Sequence, residues 1–176
     1  SARVARLDRD TSQYQQLGRV LSAFRSGDVD VLVGTQMVTK GHDFPGVTLV
    51  GVVLADHGLS FPDFRASERT FQLLCQVAGR AGRGDVPGRV VIQTFNPDHH
   101  AVLAAQNHDY LGFYRQELAL RVRLGYPPNG HLAAIRMDSP DAQVVAQTAS
   151  RIGSHVNGLA HGLDIAILGP CEAPLA

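Results

Sequence analysis

Tryptophan is absent from the 176 residues, and only two cysteines occur, Cys75 and Cys171. They stand far apart and form no CxxC pair or zinc-ligand pattern, which argues against a disulfide-stapled secreted scaffold. Charge of one sign is also lacking, since sixteen Lys and Arg balance sixteen Asp and Glu. Bulk charge therefore offers no attraction to nucleic acid, and any such site must be local. No stretch is apolar enough for long enough to span a bilayer, and the opening SARVARLDRDTSQY has no apolar signal-peptide core. The GxxxxGK[ST] phosphate loop is missing as well. These absences lead to the expectation of a cytoplasmic protein without membrane contact. What is present is ordinary for a water-soluble globule, 44% hydrophobic and 18% charged, with enough apolar mass for a core. The missing initiator methionine and the stop at GPCEAPLA suggest a piece of something longer.

Hydrophobic spacing organises the chain. Residues 11–24 read as a helix, with Tyr14, Leu17, Val20, Leu21 and Phe24 on one face. VDVLVGT (29–35) and VTLVGVVLAD (47–56) read as buried strands, the second expected to be covered on both faces. A helix is predicted over 66–78, a strand in GRVVIQTF, and a long helix from His99 to about Arg121. Alternating strands and helices predict an α/β fold, a parallel sheet with helices on both faces. Such sheets gather ligands at the carboxyl ends of their strands. GTQMVTKG follows the first buried strand and Asp56–Gly58 the second, so their loops are expected on one sheet edge. RLGYPPNGH (123–131) interrupts the helical pattern at Pro127-Pro128. Beyond it HLAAIRM, the 141–160 helix and LDIAILG predict a β-α-β start to a partial α+β domain. The expected divisions are 1–105, a linking helix and Tyr-Pro-Pro junction over 106–127, and 128–176.

Three stretches carry candidate chemistry. In GTQMVTKGHDFPGV, Gly34 and Gly41 bracket Thr35, Gln36, Thr39 and Lys40. Glycines admit close backbone approach, hydroxyl and amide groups donate to phosphate oxygens, and lysine adds a point charge. The same loop also reads as a plain strand-to-helix connection, with Asp43 either accepting from a sugar hydroxyl or capping a turn. In QLLCQVAGRAGRG, Arg80 and Arg83 close a helix on a glycine turn. They suit bidentate contacts to phosphate or carboxylate, although two solvated charges at a helix C-terminus read equally well. ADHGLSFPDFRASERT mixes Asp56, His57, Asp63, Arg65, Glu68 and Arg69 with aromatics, the pattern of an ordered ion-pair network. Asp56 and His57 lack a third ligand at a telling distance, so no metal site is assigned. His99 and His100 are read as a helix start, and Cys75 as a small core residue.

Taken in order, VLVGTQMVTKGHDFPGVTLVGVVLAD and FPDFRASERTFQLLCQVAGRAGRG resemble motifs V and VI of superfamily 2 helicases. The ARLDRDT opening, DFRASER and the Tyr-Pro-Pro junction narrow the resemblance to the PriA family of bacterial replication-restart helicases. The resemblance implies the distal part of the second RecA-like lobe, incomplete, followed by the partial C-terminal domain. It implies Arg80 and Arg83 facing ATP phosphates, one as arginine finger, with Gln76 linking the nucleotide site to lobe closure. Gly41 and Asp43 would lie in the motif V turn near the nucleotide, and Thr35, Gln36, Thr39 and Lys40 towards the single-stranded DNA backbone.

For a complete relative the resemblance implies an ATP-dependent 3'-to-5' DNA helicase that remodels stalled forks and starts primosome assembly. Mg²⁺ would be held by a lobe that precedes this stretch, and zinc by a cysteine cluster outside it. Implied partners are single-stranded and forked DNA, the single-stranded-DNA-binding protein, other primosome proteins and the replicative helicase loader. A monomer at nucleoid-associated forks is expected, and this stretch alone is expected to lack ATPase activity. The competing expectation is an ATPase-inactive, helicase-like scaffold for forked DNA and primosome proteins.

Overall fold

The computed structural model describes residues 1–7, 14–35, 44, 46–82 and 87–172. The chain divides into two compact units, Ser1–Gly125 and Tyr126–Ala176.

The first unit begins with strand β1 (Val4–Leu7), helix α1 (Tyr14–Arg25) and strand β2 (Val31–Gly34). β1 and β2 pair in parallel, with Val4 opposite Val31 and Leu7 opposite Gly34. β1 was not expected, because four residues preceded by Arg3 and interrupted by Arg6 give too brief an alternation to register. Its register is fixed by Arg3, whose guanidinium lies 2.7 Å from Asp30 and whose backbone N–H also donates to that carboxylate. These side-chain and backbone hydrogen bonds hold the Asp30 carboxyl at about 2.

Strand β3 (Leu49–Val52) pairs in parallel with β4 (Arg89–Ile92), with Leu49 opposite Arg89. Helices α2 (Asp56–Leu59) and α3 (Ala66–Ala78) connect them. The α/β expectation of parallel strands joined through helices therefore holds, but the single sheet is replaced by two pairs. Among the described residues no ladder joins β2 to β3. The two-sided burial expected for 47–56 is also corrected. Val52 and Ile92 pack on the helical core, while Leu49 and Val53 are 61% and 80% exposed. Period-two geometry sends successive side chains to opposite faces, and the core covers one of them.

Helices α4 (His100–Gln106) and α5 (Tyr110–Leu124) complete the unit. They replace the single long helix read from 99–121. The break has a local cause: Asn107 donates its side-chain amide back to the Leu103 carbonyl, and His108 adopts φ 53°. Asp109 then caps the new helix by accepting from the Gly112 N–H at 2.8 Å. Short polar side chains that bond neighbouring backbone offer the chain an alternative to continuing the helix. α5 ends on Gly125, whose left-handed φ of 67° no β-branched residue would tolerate.

The core lies between α3, α4 and α5. Phe71, Leu74, Ala101, Val102, Ala105 and Phe113 are buried there. Phe71 and Phe113 stack with ring planes 3° apart and centroids 4.2 Å apart. Leu74 is 1% exposed, and its burial contributes about 2 kcal/mol by apolar area alone. Gly58 marks the close approach of α2 to α3, since a Cβ there would lie 2.6 Å from the Thr70 hydroxyl oxygen.

The second unit holds one regular element among its described residues, helix α6 (Ala142–Leu159), capped by Asp141 through the Gln143 and Val144 N–H groups. The strands expected in HLAAIRM and LDIAILG do not form, and this corrects the β-α-β reading. Leu132, Ile135, Ile165 and Leu168 are instead exposed, Leu168 to 89%. An alternating sequence becomes a strand only when a neighbour pairs its backbone and covers its apolar side, and neither condition is met. No described helix is long and apolar enough to cross a membrane.

Candidate functional site

The glycine-arginine turn is held by main chain. α3 closes with the Gly79 N–H donating to Cys75 O and the Arg80 N–H to Val77 O. Gln76 is exposed on the last turn, and Arg80 is half-buried beyond it. Two residues on, Gly82 takes φ 73° and donates its N–H to the Val47 carbonyl at 3.1 Å. Gly82 also lies directly against the backbone of Gly88, so that a Cβ on either residue would overlap the other's main chain. Glycine is required at both, at Gly82 by the left-handed backbone as well as by the contact. The turn that carries Arg80 is therefore fastened to the chain entering β3. That chain is the continuation of the Gly/Thr/Lys loop.

The β3–α2 turn is equally constrained. Leu54 sits at φ 55°, a costly conformation for a side chain of its size, and the Ala55 N–H donates to Gln93 O. Asp56, buried, accepts four hydrogen bonds from the segment after β4. These come from Thr94 Oγ1 (2.9 Å), Phe95 N (2.8 Å), Asn96 N (3.1 Å) and Asn96 Nδ2 (2.7 Å). Burial pushes its carboxyl up, but the Phe95 N–H, the Asn96 amide and the Thr94 hydroxyl together hold it at about 2. A carboxylate so saturated ties two strand ends together and has little capacity left for acid–base work. Thr94 and Asn96 were not singled out in the sequence, because nothing local links residues some forty positions from Asp56.

The ion-pair network anticipated around 56–69 is present and extends further. Asp63 accepts from Arg65 Nε at 3.2 Å and Arg69 Nη1 at 3.0 Å. Arg121 on α5 donates Nη2 to Glu68 on α3 at 2.7 Å and Nε to Glu117 at 3.0 Å. His100 Nε2 lies 3.1 Å from the other Glu117 oxygen. The Phe64 ring has the guanidinium carbons of Arg65 and Arg121 at 5.0 and 5.1 Å from its centroid, within cation–π range. Burial pushes the Arg121 guanidinium down, but its bonds to Glu68 and Glu117 outweigh this and keep it charged.

Of the expected site residues, Thr35 is exposed directly after β2, and Gln76 and Arg80 lie together at the end of α3. Gln36, Thr39, Lys40, Gly41, Asp43 and Arg83 lie outside the described residues. His99 and His100 do begin a helix, the His99 ring accepting from the Ala101 N–H. Cys75 is half-buried at the edge of the core, where burial pushes its thiol up, and Cys171 is exposed. Among the described residues no three His, Cys, Asp or Glu side chains gather as a metal site.

Residues 1–85 match the helicase conserved C-terminal domain. Across 177 aligned residues the chain is 48% identical to the replication restart protein PriA of Bacillus subtilis, covering all of this chain and 22% of that protein. It is 45% identical to the PriA of Synechocystis, covering 97% of this chain and 20% of the relative. With the PriA of Haemophilus influenzae the identity is 40%, covering 98% and 24%. The chain thus spans about a fifth of the length of the relatives it matches. A tied glycine-arginine turn after α3, a helicase C-terminal domain match and near-half identity along the whole chain make this a segment of the PriA replication-restart family.

Proposed function

We propose that this chain supplies the arginine side of an ATP site, and part of a single-stranded DNA surface, in an ATP-dependent 3'-to-5' helicase. That helicase remodels stalled forks and initiates primosome assembly. The supporting observation is the Arg80 turn, fastened through Gly82 to the strand that follows the Gly/Thr/Lys loop. Bound ATP with Mg²⁺ supplies the phosphoryl-transfer chemistry, its main binding groups and the metal lying on another lobe. The donor set here suits that role, because two guanidiniums on a glycine turn match the oxygens of a polyphosphate. Arg80 and Arg83 neutralise charge that builds on those oxygens, one of them as the finger. Gln76, on the same helical end, senses closure of the site. Gly41 and Asp43 border the nucleotide, and Thr35, Gln36, Thr39 and Lys40 hold the DNA backbone without reading bases. The zinc of the complete protein lies outside this chain. Its partners are forked DNA, single-stranded-DNA-binding protein, primosome proteins and the helicase loader, with the helicase acting as a cytoplasmic monomer.

In the full-length protein, Arg83→Ala lowers DNA-stimulated ATP turnover by on the order of 10³-fold and leaves thermal unfolding unchanged. Undiminished turnover in a folded variant rejects Arg83 as the finger and leaves that role to Arg80, whereas a full-length parent without DNA-stimulated turnover favours the scaffold reading, an ATPase-inactive protein that binds forks and primosome components. Lys40→Ala weakens single-stranded DNA binding and reduces the salt slope by about 0.7 for one lost phosphate contact. Titrations at several salt concentrations read this directly.

A further inference from the structure

Helix α3 is the arm that presents Arg80, and its two ends are held differently. At the C-terminal end the Gly82 amide binds Val47 O. At the N-terminal end, side chains do the work. Glu68, in the first turn, accepts from Arg121 Nη2 at 2.7 Å, and Arg121 is oriented in turn by its Nε–Glu117 bond at 3.0 Å. Only 13% of the Arg121 side chain is exposed, and the Phe64 ring stands 5.1 Å from its guanidinium carbon. Lysine lacks the planar fork that reaches two carboxylates on two helices at once. Glu117 meets His100 through its other oxygen, so the latch is anchored on α4 and α5, apart from α3. A thirteen-residue helix is about 20 Å long, so a tilt of ~3° at one end moves the other by ~1 Å. A displacement of that size at a reacting group is enough to cost turnover.

We infer that Arg121 and Glu68 form a positioning latch that fixes the tilt of α3, and through it the place of Arg80 for catalysis. The latch touches no substrate; it rests on the proposed function above for its catalytic consequence, but not for its mechanical one. Glu68 and Glu117 make opposite predictions. Glu68 is the arm to α3 and is half-exposed, so its loss costs little stability. Glu117 is buried and binds two groups, but in Glu117→Gln the amide oxygen still accepts from Arg121 Nε and keeps the guanidinium aimed at Glu68. A purely structural network would lose activity in proportion to stability, with Glu117→Gln the worse variant. A latch loses activity with Glu68→Ala.

The test uses the full-length protein with Glu68→Ala, Glu117→Gln, Arg121→Lys, Arg80→Ala and Arg83→Ala. Amide hydrogen exchange is followed at Gly79, Arg80 and Gly82, with steady-state ATP hydrolysis on single-stranded DNA in parallel. Glu68→Ala and Arg121→Lys are expected to speed exchange at these three amides about fivefold. They are also expected to lower kcat about threefold, with KM for ATP within about twofold of the parent. Glu117→Gln lowers the unfolding midpoint but leaves both readouts near the parent. Unchanged exchange in Glu68→Ala overturns the latch whatever turnover does. Faster exchange with unchanged kcat overturns its catalytic role, provided Arg83→Ala or Arg80→Ala is inactive. Full turnover in Arg83→Ala and in Arg80→Ala alike overturns the function proposal instead, and the exchange data then still decide the mechanical claim.

Discussion

Helices α3 and α6 are both amphipathic, and the longer of them has half-buried residues but no buried one. α3 has thirteen residues, of which Ala66, Thr70, Phe71, Leu74 and Val77 are buried. α6 has eighteen and no buried residue. Their sequences advertise an apolar face equally well, through Val144, Val145, Ile152 and Val156 in one case and Phe71, Leu74 and Val77 in the other. The difference is supplied by neighbours: α4 and α5 lie against α3, whereas the stretches flanking α6 within its unit form no sheet. An apolar stripe thus specifies a helix and a wish for a partner, and the partner decides how much energy follows.

The sharpest test of that contrast is truncation of one apolar side chain in each helix. Leu74→Ala is expected to cost about 3 kcal/mol of first-unit stability by urea unfolding, while Val156→Ala costs less than about 0.5. Equal losses would mean that α6 is packed far better than its exposure indicates. Next in size, Gly88→Ala forces the Gly82 turn to move, an expected loss of about 2 kcal/mol. Gly158→Ala in α6, where no atom lies within 4 Å of the added methyl group, gains up to about 1 kcal/mol of helix stability. Opposite signs in circular dichroism melts would sharpen the comparison. Asp141→Ala removes the α6 cap and costs about 1 kcal/mol of helix stability, visible as fraying of its first turn in exchange.

The smallest effect is in pH. The Asp56 carboxyl falls from an ordinary 3.8 to about 2 on folding. Its contribution is therefore full above pH 3.8 and is lost as the pH falls toward about 2. An acid titration of first-unit stability should lose part of its slope in that window in Asp56→Asn.

Legibility followed the range of the interaction. Helix α3 was read from sequence over about 66–78, where it forms, because 3.6-residue spacing and the glycine that ends it are local. The strand cores β2, β3 and β4 were found for the same reason. β1 escaped because its register depends on Asp30, twenty-seven positions from Arg3. The break between α4 and α5 escaped because Leu103 through Tyr110 keep helical spacing while Asn107 and Asp109 turn their side chains to the backbone. The C-terminal strands were read from true alternation, but pairing is a property of two segments. At the site, residue types at Arg80, Gln76 and Thr35 could be read in place. Asp56's partners, the Val47–Gly82 tie and Arg121's reach to Glu68 join distant parts of the chain and left no local mark.

The Gly82–Val47 bond runs from main chain to main chain, and so at its Val47 end it is blind to most substitutions. Position 47 can drift among apolar residues and still present the same carbonyl. Position 82 has no such freedom, because any Cβ would run into the Gly88 main chain from a left-handed backbone, and proline would remove the donor as well. A library that randomises both positions should therefore come back permissive at 47 and nearly invariant at 82, an asymmetry of tolerance across a single hydrogen bond.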